Sequence, residues 1–100
     1  MILKDRKDLT LSNIKWNCTD IDCIVSFTIE NRLSDSLLIN ISLRAYKEEY
    51  VGGSDALATK IVGERIIKDE LHSYEIKQYK ESLRTASKKV SLLNVNAWSQ

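Results

Sequence analysis

A strict alternation of apolar and polar side chains within residues 23–46 constrains the fold more than any other feature. Val25, Phe27 and Ile29 are each separated by one polar residue. After a short segment at 31–36, every second position is apolar again: Leu37, Ile39, Ile41, Leu43 and Ala45. Successive side chains of a strand point to opposite faces. The pattern therefore predicts two β-strands, each with one face in a core and one face in water.

Weaker patterns predict further strands on both sides of this pair. A first strand is expected at about Leu9–Cys18, where the apolar parity switches at Ser12-Asn13 and indicates a bulge or a change of sheet. A fourth strand is expected at about Ala58–Lys68, with Gly63 marking a bulge. A last strand is expected to end at Trp98. Gly52 and Gly53 predict a loop.

The segment from Leu71 to Ala86 fits two structures. His72, Tyr74 and Ile76 alternate as in a strand, whereas apolar residues from Ile76 onward also recur at helical spacing. The preferred interpretation is a strand to about Lys80, followed by a loop or one short helix near residues 80–88. A longer helix from Tyr74 to Lys88 is the alternative.

Short strands with frequent turn signals predict an all-β chain, an antiparallel β-sandwich of about six to seven strands. The alternation argues against a parallel sheet, whose strands would be apolar on both faces. We expect residues 1–8 to form a flexible N-terminal segment. Residues 9–98 then form a single sandwich domain, a size typical of one domain.

The end of the second strand and the end of the third resemble a known family. Val25–Asn31, a short turn and then Leu43-Arg44-Ala45-Tyr46 resemble bacterial immunoglobulin-like modules of the FxLYD kind, although Lys47 replaces the motif's Asp. Glu70–Ile76 looks like the later strand of these modules, without the usual preceding Pro-Gly. The resemblance implies an immunoglobulin-like sandwich in an exported or envelope protein, with no catalytic residues.

The charge balance bears on the partners to be expected. With 15 basic and 14 acidic residues the net charge is +1, which argues against a nucleic-acid partner. No apolar run is long enough to span a membrane. The first eight residues contain no signal-peptide core, so we expect either a cytoplasmic protein or a leader removed ahead of Met1.

Cys18 and Cys23 bracket four residues, Thr19-Asp20-Ile21-Asp22. If the first two strands form a hairpin, these cysteines face each other across the strands, where a disulfide is sterically feasible. A bridge would indicate an oxidising compartment. Two free thiols, usual in the cytoplasm, are the alternative, and the spacing is not that of a redox-active C-x-x-C pair.

The sequence offers no strong pattern for a metal, a cofactor or a catalytic residue. Two cysteines and His72 cannot complete a four-ligand zinc site, and aspartates in a tight turn are ordinary turn residues. His72 lacks a nucleophile motif such as G-x-S-x-G nearby, so a solvent-facing strand position is expected for it. We therefore expect no metal site, no cofactor and no enzyme activity.

Aromatic side chains are the best candidates for contact with a partner. Trp16 shares parity with Ile14 and is expected in the core. Trp98 has the opposite parity to Leu93, Val95 and Ala97, and we expect it to be exposed as a contact residue. Tyr46 and Tyr50 flank a charged segment near the glycine loop and could form part of the same edge.

The function predicted from these features is that of a non-catalytic interaction or structural module in a periplasmic or envelope protein. Its partner is an unidentified protein, and an exposed strand edge could also support a homodimer. The alternative is an OB-type β-barrel that binds a small ligand or single-stranded nucleic acid through Trp98, Tyr46 and scattered lysines.

Overall fold

Six antiparallel strands form two sheets in the computed structural model, which describes residues 8–19, 21–50, 57–85 and 90–100. The side chains of Tyr50 and Leu57 lie outside this description. The strands are β1 (Leu9–Cys18), β2 (Asp22–Asn31), β3 (Leu37–Tyr50), β4 (Leu57–Leu71), β5 (Ile76–Arg84) and β6 (Leu92–Ser99). One sheet has the order β1-β2-β5 and the other has the order β4-β3-β6. The predicted all-β sandwich is confirmed.

The core lies between the two sheets and is built from the alternating residues of β2 and β3. Val25, Phe27 and Ile29 face the side chains of the second sheet, and the Phe27 ring stacks on Tyr79 of β5 at 5.1 Å between centroids. Four of the five β3 residues predicted to be buried are fully buried: Ile39, Ile41, Leu43 and Ala45. The fifth, Leu37 at the start of the strand, is half-buried.

The strand order matches that of an immunoglobulin domain. In that fold strand B lies between A and E, while C pairs with F and, in some types, with C′. The six strands correspond in chain order to A, B, C, C′, E and F. In the described residues no strand lies beside β6, where strand G of an immunoglobulin domain is found.

Both predicted bulges are present. In β1 the register with β2 shifts between Ser12 and Lys15, and Asn13 has a left-handed φ of 54°. In β4 the register with β3 shifts next to Gly63. A Cβ atom at Gly63 would lie 2.8 Å from the backbone oxygen of Arg84, so glycine is needed where the two sheets approach closely.

The segment after β4 differs from both predicted structures. His72–Glu75 form a turn, in which Tyr74 has a φ of 56° and Glu75 N–H donates to the oxygen of His72 at 3.0 Å. β5 then runs from Ile76 to Arg84, which confirms the strand predicted up to Lys80 from Ile76 onward. The loop or short helix predicted after Lys80 and the alternative helix over Tyr74–Lys88 are wrong for the described residues. Pairing with β2 along the whole of β5 overrides the helical spacing.

Trp16 is also placed differently from its prediction. It pairs with the buried Val25, yet its side chain is 39% exposed. β1 is an edge strand, and the inner face of its second half is only partly covered by the opposite sheet. The predicted loop at Gly52-Gly53, residues 86–88 of the predicted helix and residues 1–7 of the predicted N-terminal segment lie outside the described residues.

Asn31 connects the β2–β3 turn and the β4–β5 turn at one end of the sandwich. Its side chain is fully buried and donates to the backbone oxygens of Asp35 at 2.8 Å and His72 at 2.9 Å. Its Oδ1 accepts from Leu33 N–H at 2.9 Å. The β2–β3 and β4–β5 turns are thereby held together by one amide.

The chain enters and leaves the sandwich at this same end. Asp8 accepts a hydrogen bond from Arg32 N–H at 2.9 Å, and its side chain accepts one from the Ser99 hydroxyl at 2.7 Å. At the other end, β6 pairs with β3 only as far as Tyr46. Beyond that point β3 and β4 continue as a two-stranded ribbon from Lys47 to Tyr50 and from Leu57 to Lys60.

Candidate interaction surface

Pairing between β3 and β6 assembles a polar and aromatic surface on the outer face of the β4-β3-β6 sheet. The register places Arg44 opposite Asn94, Ser42 opposite Asn96 and Asn40 opposite Trp98. These side chains point outward because their strand neighbours point into the core. Six residues of this face line one depression, and we call them the β3–β6 surface: Ser42, Arg44, Tyr46, Asn94, Asn96 and Trp98.

The β3–β6 surface encloses a shallow depression of about 180 Å³. Ser42 is nearly buried beneath it, at 8% exposure, while Asn94 and Asn96 are exposed and Trp98 and Tyr46 are half-buried. A large indole and a large phenol thus border a hollow lined by short polar side chains. The floor is regular sheet, so the position of each side chain is set by the strand pairing.

A fixed positive charge lies at the border of this depression. The Arg44 Nε donates to Glu64 Oε2 of β4 at 2.7 Å. Hydrogen bonds with Tyr46 and with Glu64 raise the pKa of the Arg44 guanidinium above its ordinary value. Arg44 is therefore a permanent cation, oriented by a carboxylate on one side and a phenol on the other.

The chemistry available here is recognition. Arg44, Asn94, Asn96 and the indole of Trp98 offer hydrogen-bond donors, and the amide oxygens offer acceptors. The ring faces of Trp98 and Tyr46 offer apolar area with a polar atom at the edge. This set contains neither a nucleophile with an adjacent base nor a pair of close carboxylates.

Two of the three aromatic contact residues predicted from the sequence meet at this surface. Trp98 and Tyr46 border the same depression, although they are far apart in the chain. Trp98 is only half-buried, in line with the exposure expected from its parity. Tyr50 ends β3 on the ribbon beyond β6, and its side chain lies outside the described part of the structure.

Cys18 and Cys23 lie directly opposite each other at the end of the β1–β2 hairpin. Their Cα atoms are 3.9 Å apart and their sulfur atoms lie at disulfide-bonding distance. Thr19 N–H donates to the oxygen of Asp22 at 2.7 Å and closes the hairpin, and the Thr19 hydroxyl lies 2.8 Å from Asp22 Oδ1. The strand pairing expected from the sequence thus brings the two thiols together.

His72 lies in the β4–β5 turn and not in a strand. Its side chain is 72% exposed, with Nδ1 3.9 Å from the Glu70 carboxylate. In the described ranges no three histidine, cysteine or acidic side chains are grouped as they would be to hold a metal ion. Those ranges also contain no helix long and apolar enough to cross a membrane.

A second depression, of about 440 Å³, lies on the outer face of the β1-β2-β5 sheet beside the β1 bulge. Its outward-facing lining is polar, with Asn13, Ser26, Thr28 and Gln78 between Lys15 and Lys80. Phe27 and Tyr79 border it, but their side chains are buried in the core. The lining of this depression therefore contains no exposed aromatic side chain, although the exposed Trp16 lies nearby, beside Lys15 and Lys80. Gln78, on this face, serves as the control position for experiments on the β3–β6 surface.

Sequence reasoning missed four of the six residues of the β3–β6 surface. Their parity was visible, because Ser42 and Arg44 alternate with core residues of β3, and Asn94 and Asn96 do so in β6. The missing information was the pairing of β3 with β6, two strands separated by more than 40 residues of chain. An Arg and two Asn flanked by Tyr46 and Trp98 become a site only after that pairing is known.

Comparison of the chain with models of protein families, with curated proteins and with solved structures found no match. The resemblance to FxLYD modules therefore stays a prediction. The strand order, the disulfide-distance cysteine pair and the β3–β6 surface are the observations from which a function can be argued.

Proposed function

We propose that this chain is a non-catalytic interaction module of a bacterial envelope protein, and that it binds a protein partner through the β3–β6 surface. The observation that carries the proposal is the convergence of Trp98, Tyr46 and Arg44 around one depression. Tryptophan, tyrosine and arginine are the residues most enriched among those that dominate the energy of protein–protein interfaces.

The shape of the surface supports a macromolecular partner over a small molecule. Sites for small ligands are commonly enclosed clefts of roughly 300–1,000 Å³. The depression at the β3–β6 surface is about 180 Å³ and is formed on one face of a sheet. Such a hollow suits one protruding side chain of a protein partner. Trp98 and Tyr46 would contact the partner's surface around that side chain.

Exposed apolar residues extend the surface beyond the depression. Leu92 of β6 is 47% exposed, and Ile66, which pairs with Ser42, is 55% exposed. An apolar area bordered by Glu64 and Lys68 has the layout of an interface with a polar rim. Contact with a partner would remove this apolar area from water.

The assignment to the envelope is supported by the hairpin cysteines. A pair at disulfide-bonding distance favours an oxidising compartment, because cytoplasmic thiols are kept reduced. Two separate three-stranded sheets also differ from the five-stranded, partly open barrel of an OB fold, which favours the interaction module over the OB-type alternative that binds a small ligand or single-stranded nucleic acid.

Site-specific photocrosslinking in the native cell tests the proposal. A photoreactive residue at Asn96, which is exposed at the depression, is expected to give an adduct with a different protein. The same residue at Gln78, on the outer face of the other sheet, is the matched control and is expected to give no such adduct. Mass spectrometry then identifies the crosslinked protein.

The partner identified in this way allows a quantitative test with purified proteins. Trp98→Ala is expected to weaken binding by at least about 2 kcal/mol, roughly 30-fold in Kd, if Trp98 is an anchor of the interface. Lys80→Ala on the opposite face is expected to leave the Kd unchanged. Crosslinks from Gln78 alone, or an unchanged Kd for Trp98→Ala, would contradict the proposal.

A further inference from the structure

The edge of β6 differs from the other three sheet edges of the sandwich. Native proteins protect edge strands with charged side chains, proline or bulges, because an unprotected edge pairs with other strands. β1 has a bulge and Lys15, β4 has a bulge and six charged residues, and β5 has four charged residues. β6, Leu92–Ser99, is regular and contains no charged residue and no proline.

The backbone of β6 presents hydrogen-bonding groups on its open side. Gln100 N–H donates to the oxygen of Leu38 at 2.9 Å, which makes Leu38 and Gln100 a hydrogen-bonded pair. Bonded and non-bonded pairs alternate in an antiparallel ladder, so Asn94, Asn96 and Trp98 also bond toward β3. The N–H and C=O groups of Leu93, Val95 and Ala97 therefore point away from β3, toward a side with no described strand.

We propose that the edge of β6 pairs with β6 of a second copy of this chain, antiparallel and with Val95 on the two-fold axis. The two β4-β3-β6 sheets then form one continuous six-stranded sheet. An edge without charge can pair with itself without repulsion, which is what a two-fold interface requires because the same patch meets itself.

The register follows from the side chains. With Val95 opposite itself, the core-facing Leu93 lies opposite Ala97 of the second copy, so a large side chain faces a small one. On the outer face Leu92 lies opposite Trp98 of the second copy, and Asn94 lies opposite Asn96. The outward backbone groups of Leu93, Val95 and Ala97 are all paired in this register, with two hydrogen bonds exchanged in each of three pairs.

Pairing in this way would join two β3–β6 surfaces side by side. Asn94, Asn96 and Trp98 belong both to that surface and to the strand at the seam. The dimer would thus present two copies of the depression on one face, related by the two-fold axis. The inference is independent of the proposed function, since it is tested on the purified chain alone.

A pair of charge variants tests the register directly. In Asn94→Lys/Asn96→Lys, each introduced lysine faces another lysine across the seam, and dimerisation is expected to be lost. In Asn94→Lys/Asn96→Glu, each lysine faces a glutamate, and dimerisation is expected to persist. Both positions are exposed in the single chain, so both variants should fold.

Sedimentation velocity over micromolar to millimolar concentrations is the measurement. The expected result is a reversible dimer for the natural sequence and for the Lys/Glu variant, and a monomer for the Lys/Lys variant. A monomeric natural sequence at millimolar concentration overturns the proposal. A Lys/Glu variant that fails to dimerise overturns this register. Its like charges would meet only in a different register, for example one in which position 96 faces position 96 of the second copy.

Hydrogen exchange of individual amides provides a second readout. At dilution the amides of Leu93, Val95 and Ala97 are expected to exchange faster than those of Asn94 and Asn96, which donate to β3. At concentrations where the dimer forms, the first three are expected to become protected as well. Equal protection of all five amides in the monomer would overturn the proposal, since the edge would then already be covered.

Discussion

At the scale of single residues, the buried amide of Asn31 holds two turns of the sandwich together. It is a fully buried polar side chain that serves two turns, with donors to Asp35 and His72 and an acceptor for Leu33 N–H. Buried polar groups without partners are costly, so removal of this amide affects every group that it contacts. Asn31 thus couples the local β2–β3 turn to a turn formed 41 residues later.

We predict that Asn31→Ala lowers the free energy of unfolding by about 3 kcal/mol, because three backbone groups lose their partner. Asn31→Asp should be at least as damaging, since a carboxylate cannot donate to the two carbonyl oxygens. Urea denaturation of each variant measures the change. Asn96→Ala, at an exposed position, is the control and should stay within about 0.5 kcal/mol of the natural sequence.

An Asn31→Ala variant as stable as the Asn96→Ala control would show that water replaces the amide without loss. That outcome would contradict the structural role given to Asn31.

Side-chain periodicity correctly predicted most single-residue burial but not this network. The core positions of β2 and β3 follow directly from parity, because each strand has one face covered. The partners of Asn31 could not be predicted, because they depend on how two distant turns meet. The prediction that Trp16 lies in the core was wrong for a related reason. Parity identifies the face of a strand to which a side chain points, but it does not show how much of that face the opposite sheet covers.

At the scale of elements, β4 and β5 are joined by a polar cluster across the open side of the sandwich. Asp69 of β4 accepts a hydrogen bond from Lys77 Nζ at 2.6 Å and another from the Tyr79 hydroxyl at 2.7 Å. Arg65 of β4 adds a contact with Glu81 at 3.4 Å and donates to the oxygen of Ser82 at 2.9 Å. These contacts hold together two strands that belong to different sheets.

Protonation equilibria of this cluster should make stability depend on pH. Desolvation by partial burial opposes ionisation of Asp69, but hydrogen bonds from Lys77 and Tyr79 outweigh it and lower its pKa below the usual 3.8. The hydrogen bond to Asp69 raises the pKa of Lys77. Burial, and then the hydrogen bond to Asp69, raises the pKa of the Tyr79 phenol.

The signs of these shifts define a pH window. A lowered Asp69 pKa contributes stability above 3.8 that is lost as the pH falls through the folded-state value. The raised pKa values of Tyr79 and Lys77 have the opposite effect. Their contribution to stability is complete below pH 10.0 for Tyr79 and below pH 10.5 for Lys77, and it is lost as the pH rises through the folded-state pKa. The cluster should therefore stabilise the fold most between pH 3.8 and 10.0.

We predict that Asp69→Asn lowers the free energy of unfolding by about 1 kcal/mol at neutral pH, a modest effect because the pair is partly exposed. The difference from the natural sequence should shrink below pH 3.8. Urea unfolding at a series of pH values measures this dependence. Tyr79→Phe keeps the ring stacked on Phe27 and removes only the hydroxyl, so it isolates one hydrogen bond to Asp69.

A loss for Asp69→Asn that stays constant from acid to alkaline pH would contradict this account. It would mean that the cluster acts through packing and not through charge.

Element boundaries were predictable where pairing and local pattern agree. The two bulges were expected from a parity switch and from Gly63, and both occur where expected. β5 was mispredicted at both ends, because Tyr74 lies in a turn with a left-handed backbone and the strand extends beyond Lys80. Its apolar spacing is compatible with a helix, and only the ladder with β2 decides in favour of a strand.

At the scale of the whole molecule, the class of fold was predictable and the pairing of distant strands was not. Alternation and turn spacing suffice for an antiparallel sandwich. The neighbours β2 and β5, and β3 and β6, are separated by long stretches of chain, and no local pattern specifies them. The β3–β6 surface depends on one of these pairings, which is why only its aromatic residues were predicted.

We predict that the cysteine pair stabilises the whole fold. A bridge that closes a loop this short should contribute about 2 kcal/mol, so reduction should lower Tm by roughly 10 °C. Thermal unfolding with and without a reductant measures the effect. In the control, Cys18→Ala/Cys23→Ala, the reductant should have no effect on Tm.

A natural sequence whose Tm does not respond to reductant, together with two thiols that can be alkylated without reduction, would contradict this prediction. It would also remove the main support for an oxidising compartment.

Asp8 and Ser99 lie at the same end of the sandwich, and this placement has a mechanical consequence. Asp8 and Ser99 are joined by a hydrogen bond. Asp8 directly precedes the edge strand β1, and Ser99 ends the edge strand β6. A pulling force applied through these residues would load the hydrogen bonds of β1 with β2, and of β6 with β3, one after another from that end. The module would then unzip progressively under tension instead of resisting by shear, and its opposite end would project away from whatever holds the chain.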